Sequence, residues 1–280
     1  MRHECLRIAF LTSCVLLAGV LLGSGCASSN PSADKAPEIP PVSTFVIDFG
    51  DFTDGASSKS IGSIDPTTAQ SIPGSNWSFA ALNVAVWNTV ISVTLAIPVA
   101  AFVESFNHEP VQHADGSWTW SYDVNVAGVV HSAALTARTS GGNVVWQMLL
   151  SKEGEYTDFE WFTGVSNLVG TVGTWTLHLN PGNPTPFIQI AWQRSLTDDV
   201  AEIQYTNIVP DGPQNGGYIG FAVTEDAFDA SYDIYNAGAD NLTSIEWSRT
   251  TRAGRVMDEN NFGDTAWRCW DEELQNADCP

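Results

Sequence analysis

His108 and His113 stand beside Glu109 and Asp115, and together they form the one cluster in this chain with metal-ligand chemistry. Imidazole and carboxylate are ordinary zinc ligands, but in a connector they meet at one ion only if the fold bends them together, so the spacing predicts a polar loop and no metal site. Asp48, Asp51 and Asp54 suggest calcium, yet they lack the glycine and terminal glutamate of a calcium loop and are predicted to form a solvated acidic turn. Glu153, Glu155, Asp158 and Glu160 include carboxylate pairs of the kind glycoside cleavage uses. Their crowding in a predicted turn assigns them to solvent. His131 shares a strand side with Ala133 and Leu135, which predicts a hydrogen-bonded core histidine. G-x-S-x-G, H-E-x-x-H, P-loop and C-x-x-C patterns are absent. No catalytic residue, metal ligand or cofactor can be named, and a non-catalytic protein is expected.

The cysteines carry more. Arg2 and Arg7 precede an apolar run from Ile8 to Leu22, which ends in Gly23-Ser24-Gly25-Cys26. This is a secretory signal peptide. The small residues before Cys26 make it resemble a bacterial lipoprotein signal. That resemblance implies removal of residues 1–25 and acylation of Cys26 with palmitate-type chains, which anchors the mature protein to a membrane. Ala27, where inner-membrane lipoproteins carry Asp, implies the outer membrane. Cys5 and Cys14 leave with the signal, so Cys269 and Cys279 remain as a pair in an oxidising compartment, and a disulfide between them is predicted.

Charge restricts the partners. The chain holds 32 acidic and 11 basic residues, for a formal charge of −21. Nucleic acid is an unfavourable partner without Lys and Arg patches. Such an acidic surface suits a saline habitat, where salt screens self-repulsion.

Residues 26–42 are rich in Ser, Pro, Asn and Ala and read as a flexible tether. Residues 43–280 form a single β-rich domain. Thr44–Phe49 is predicted as a first strand, followed by a Gly- and Ser-rich loop to Gly74. Residues 77–106 hold no charge until Glu104 and no glycine, and Leu82, Val86, Val90, Val93 and Ile97 recur at helical steps. A long buried helical segment is predicted there, with Pro98 either kinking it or beginning a second helix, and a membrane span over Ala80–Val103 as the alternative. From Trp118 onward the chain alternates with period two. Trp118, Trp120, Tyr122, Val124 and Val126 share one side of a strand, turns follow at Ala127-Gly128 and Gly141-Gly142, and the rhythm runs on through Ile203-Gln204-Tyr205. Beyond Pro210-Asp211-Gly212-Pro213 the chain becomes strongly acidic.

A meander with one aromatic and one wet face, plus a long apolar helix, is expected to form a barrel or half-barrel packed on that helix. In layout this resembles the half-barrel carriers among bacterial lipoproteins, of the lipoprotein-sorting (LolA and LolB) type. The resemblance implies an apolar ligand cavity, and its candidate face is Trp118, Trp120, Tyr122, Trp146, Trp175 and Trp192. The competing reading is a structural or interaction lipoprotein in which these side chains fill a solid core. A hydrolase with a dispersed site ranks third.

Overall fold

The computed structural model describes residues 35–53, 75–196 and 201–280. The predicted signal peptide, Cys26, most of the predicted tether, Asp54 and the loop up to Gly74 lie outside the described residues.

The described chain opens with a 3-10 turn at Val42–Thr44 and a short helix α1 (Gly50–Thr53). Thr44–Phe49 is therefore not a strand. Its apolar side chains are buried all the same, with Phe45, Ile47, Phe49 and Phe52 in the core and Ala36 and Ile39 packed against it. Two helices follow, α2 (Asn76–Thr94) and α3 (Ala96–Glu104). Ser75 caps the first by accepting from the Ser78 amide. The long helix expected over 77–106 is thus two, the second beginning beside Pro98. Pro98 sits in the first turn of α3, where its missing N–H is harmless but its ring would clash with a continuous helix, and the chain bends by 69°. No single described helix is long and apolar enough to cross a membrane, although the bent pair passes that test by length and composition. The stripe expected to be buried is also corrected. Ala80, Leu82, Val84 and Ile91 are buried, whereas Val90 and Val93 are 46% and 75% exposed. A helix without charges has no polar face to fix its rotation, so packing decided it.

Fourteen strands then form one antiparallel sheet in sequential order. They are β1 (Val111–Gln112), β2 (Trp118–Val126), β3 (Val129–Ser140), β4 (Asn143–Lys152), β5 (Tyr156–Asn167), β6 (Val172–Asn180) and β7 (Asn183–Arg194). The second half holds β8 (Ala201–Asn207), β9 (Tyr218–Val223), β10 (Ala230–Asn236), β11 (Asn241–Trp247), β12 (Gly254–Asp258), β13 (Arg268–Trp270) and β14 (Asn276–Ala277), with a short helix at Glu259–Phe262. Every strand pairs with its chain neighbours, as short turns dictate.

The sheet does not close, which corrects the expected barrel. Its edge strands β1 and β14 are two residues long and pair with β2 and β13, not with each other. Helices stand where closure would occur. α3 packs on β2 and α2 on β12 and β13, and the side chain of Asn76 donates to the Cys269 carbonyl at 2.8 Å. An open meander with a helical cover satisfies the same need to bury one face, and edges this short offer little backbone for unwanted pairing.

The Cys269–Cys279 disulfide ties β13 to the segment after β14 and so holds the last hairpin. Replacing both cysteines with serine is expected to lower stability by roughly 2–3 kcal/mol, as closure of so short a loop implies. Denaturant unfolding of the oxidised protein and the double mutant checks this, and equal midpoints would refute it.

Candidate functional site

The inward face of the sheet contains the six residues singled out as a ligand face. Trp120, Tyr122, Trp146, Trp175 and Trp192 are buried, and Trp118 is half-buried. Register explains why they meet. Paired residues share a side, so one inward row runs Trp118, Ala137, Trp146, Gly164, Trp175 and Ile190 across β2 to β7. Large and small residues alternate along it, and each tryptophan lies over a small neighbour. Trp120 and Trp146 have ring centroids 6.1 Å apart, and Trp146 and Trp175 6.3 Å. Trp192 occupies the next row, folded over Gly173, and its indole nitrogen is buried with no hydrogen bond among the described residues.

What covers this face is α3 together with the segment from Thr44 to Phe52. Phe45 stacks on Phe102 at 4.8 Å and meets Phe162 and Trp175 at 5.0 and 5.8 Å. The polar tips of the inward aromatics hold that segment by its backbone. Trp175 donates its indole N–H to the Thr44 carbonyl at 3.1 Å, Tyr205 its hydroxyl to the Phe45 carbonyl at 2.6 Å, and Tyr232 its hydroxyl to the Asp48 carbonyl. Trp247 donates to the Asp51 carboxylate at 2.8 Å, and Tyr122 to the Ala101 carbonyl of α3 at 2.5 Å. The bonds from Trp175, Tyr205 and Tyr232 supply partners for carbonyls of a non-strand segment lying inside a core, where an unpaired carbonyl would be costly. Burial pushes the phenols of Tyr122, Tyr205 and Tyr232 above their ordinary range, so they remain donors at any physiological pH.

A recess between Asp51, Phe52, Trp77, Trp247, Arg249 and Trp270 has a volume of about 10 Å³, room for one water. Ligand pockets are commonly several hundred cubic ångströms, roughly 300–1,000 Å³.

The other sequence candidates are dispersed. His108 pairs with Glu104 at 3.0 Å and stacks on Tyr122, whereas His113 faces Thr119 and Asp115 pairs with Arg138. Among the described residues no group of three or more His, Cys, Asp or Glu is arranged to hold a metal ion. Asp48 accepts from the Gly50 amide, Glu155 pairs with Lys152, and Glu160 accepts from Gln147. His131 is 3% exposed and shares a 2.8 Å hydrogen bond with the Tyr156 hydroxyl. No family model, curated protein or solved structure matches the chain.

Sequence reading missed β9 to β14, and with them Tyr232, Trp247 and Trp270 of the inward face. The signal was present in the period-two spacing of Thr243, Ile245 and Trp247. Acidic residues at the intervening positions and in the turns masked it.

His131 makes a pH prediction. Burial, then the nearby Lys152 charge, lowers its pKa below the ordinary histidine value, so the fold prefers neutral imidazole. A depressed group contributes stability above its unfolded pKa of about 6.5 and loses it as pH falls through the folded value. Wild type is therefore expected to lose stability on acidification below that point by more than His131→Gln does. Parallel slopes of denaturation midpoint against pH would contradict it.

Proposed function

We propose that this protein is a non-catalytic lipoprotein of the cell envelope, acylated on Cys26, whose β-rich domain is a solid-cored interaction module. The observation that carries the reading is the filling of the aromatic face by residues 45–52 and α3, with a recess of about 10 Å³ beside them. A carrier needs that volume empty. The apolar run of Ile8–Leu22 followed by Gly-Ser-Gly-Cys supports the anchor, and Ala27 supports the outer membrane as its address. The Cys269–Cys279 disulfide fits an oxidising compartment. Against catalysis stands the way candidate acids and histidines are committed to separate pairs across the surface.

Two measurements test this. Clickable fatty acid fed to cells is expected to label the wild type and not Cys26→Ser, and equal labelling would remove the anchor. Organic-solvent extracts of the purified protein are expected to contain no non-covalent lipid. A stoichiometric free acyl ligand would restore the carrier reading.

A further inference from the structure

The outward face of the sheet carries a pattern of its own, independent of the anchor. Following the register across β2 to β8, one outward row runs from Thr119 through Thr136, Gln147, Thr163, Thr176 and Gln189 to Thr206. Every position is Thr or Gln. The row continues into Tyr218 and Tyr235, half-buried rings 5.6 Å apart. The row beside it over β4 to β9 is Val145, Val165, Thr174, Ala191, Gln204 and Gly220, again without charge. That second row is bounded by charge at both ends, at Arg138 on β3 and Asp233 on β10, and charge is admitted again on the same face at Asp123, Glu160, Glu202 and Glu246. In a chain of formal charge −21, the first row is free of charge from β2 to β8 and the second between Arg138 and Asp233, so the exclusion from this strip is local.

We infer that this strip binds an extended, neutral, β-linked polysaccharide. Thr hydroxyls and Gln amides both donate and accept, which matches the hydroxyls of uncharged sugars. Neighbouring strands stand ~4.8 Å apart, so the row from Thr119 to Thr206 offers a hydrogen-bonding side chain at nearly the rise of one sugar ring, over roughly 30 Å. Thr163, Thr176 and Gln189, in the middle, make no side-chain hydrogen bond among the described residues and are available to a ligand. Tyr218 and Tyr235 give apolar ring surface for sugar C–H faces at the end of the strip. Polyanionic glycans are disfavoured by the surrounding acids.

The test is co-sedimentation of the purified protein with insoluble cellulose, chitin and β-1,3-glucan, and affinity electrophoresis in xylan, with alginate as the polyanionic comparison. Retention is expected on at least one neutral polymer and should not change as salt is raised. Thr163→Ala/Thr176→Ala/Gln189→Ala removes three neutral hydrogen bonds and should weaken that retention by about tenfold or more, with folding verified by tryptophan emission. Ser121→Ala/Ser231→Ala, outward but off the strip, should bind as wild type. Failure to bind any neutral polymer, full binding by the triple variant, or retention confined to alginate and lost in salt would each overturn the inference.

Discussion

Gly164→Val is expected to destabilise the domain by about 3 kcal/mol or more, at or beyond the upper end of ordinary overpacking. Gly164 is buried, faces inward between Trp146 and Trp175, and a Cβ placed on it would lie 2.1 Å from Cε3 of Trp175 and 2.8 Å from the Thr174 carbonyl oxygen. The ring cannot yield cheaply. Trp175 is 1% exposed, bonded to the Thr44 carbonyl, and surrounded by Phe45, Phe102 and Phe162. Moving it would disturb the seat of the N-terminal segment as well. Gly220 on the outer face has nothing nearer than 3.8 Å to such a Cβ, so Gly220→Ala supplies the contrast and should be nearly neutral. Urea midpoints for both variants decide the matter, and a Gly164→Val protein as stable as Gly220→Ala would show that the tryptophan row is not packed as described.

Phe45→Ala is the second large effect, at about 3–5 kcal/mol for truncating a fully buried aromatic. Its importance lies in where the cavity opens. Phe45 belongs to no strand and no helix, yet it touches β5, β6 and α3 at once and marks the centre of the covered aromatic face. Vacating it should create a dry apolar hole able to take a benzene-sized molecule at a position that the Phe45 ring fills in the wild type. Calorimetric titration with a small aromatic, or thermal stabilisation by it, checks this on any fraction that remains folded. Loss of stability below about 1 kcal/mol would mean that the segment 45–52 is a loose cover and not part of the core.

These two positions also show how legible the fold was. The strict alternation of Trp118 to Val126, and the glycine turns after it, announced β2, β3 and β4 because a half-buried strand must repeat with period two. Gly164 and Gly173 carried no such signal, since their purpose appears only when the register sets each opposite a tryptophan of the next strand. The segment Thr44–Phe49 alternated well enough to be read as a strand, but its carbonyls are taken by tyrosine and tryptophan tips and not by a neighbouring strand. Nothing local distinguishes those two ways of satisfying a backbone.

By itself the sequence determined that an antiparallel meander with one aromatic face would form, that a charge-free helical segment would be needed to cover it, and that Cys269 and Cys279 were placed to pair. These follow from periodicity, from the cost of exposing apolar surface, and from cysteine arithmetic, all of which act over short stretches or on composition. Only the tertiary structure decided that the sheet stays open, that the cover breaks into two helices between its edges, and that residues 45–52 join the core against the aromatic face. The physical reason is that closure and cavity volume depend on which distant parts of the chain reach the same place first in energy. A two-residue edge strand, a proline in the first turn of α3 and one phenylalanine tipped that competition.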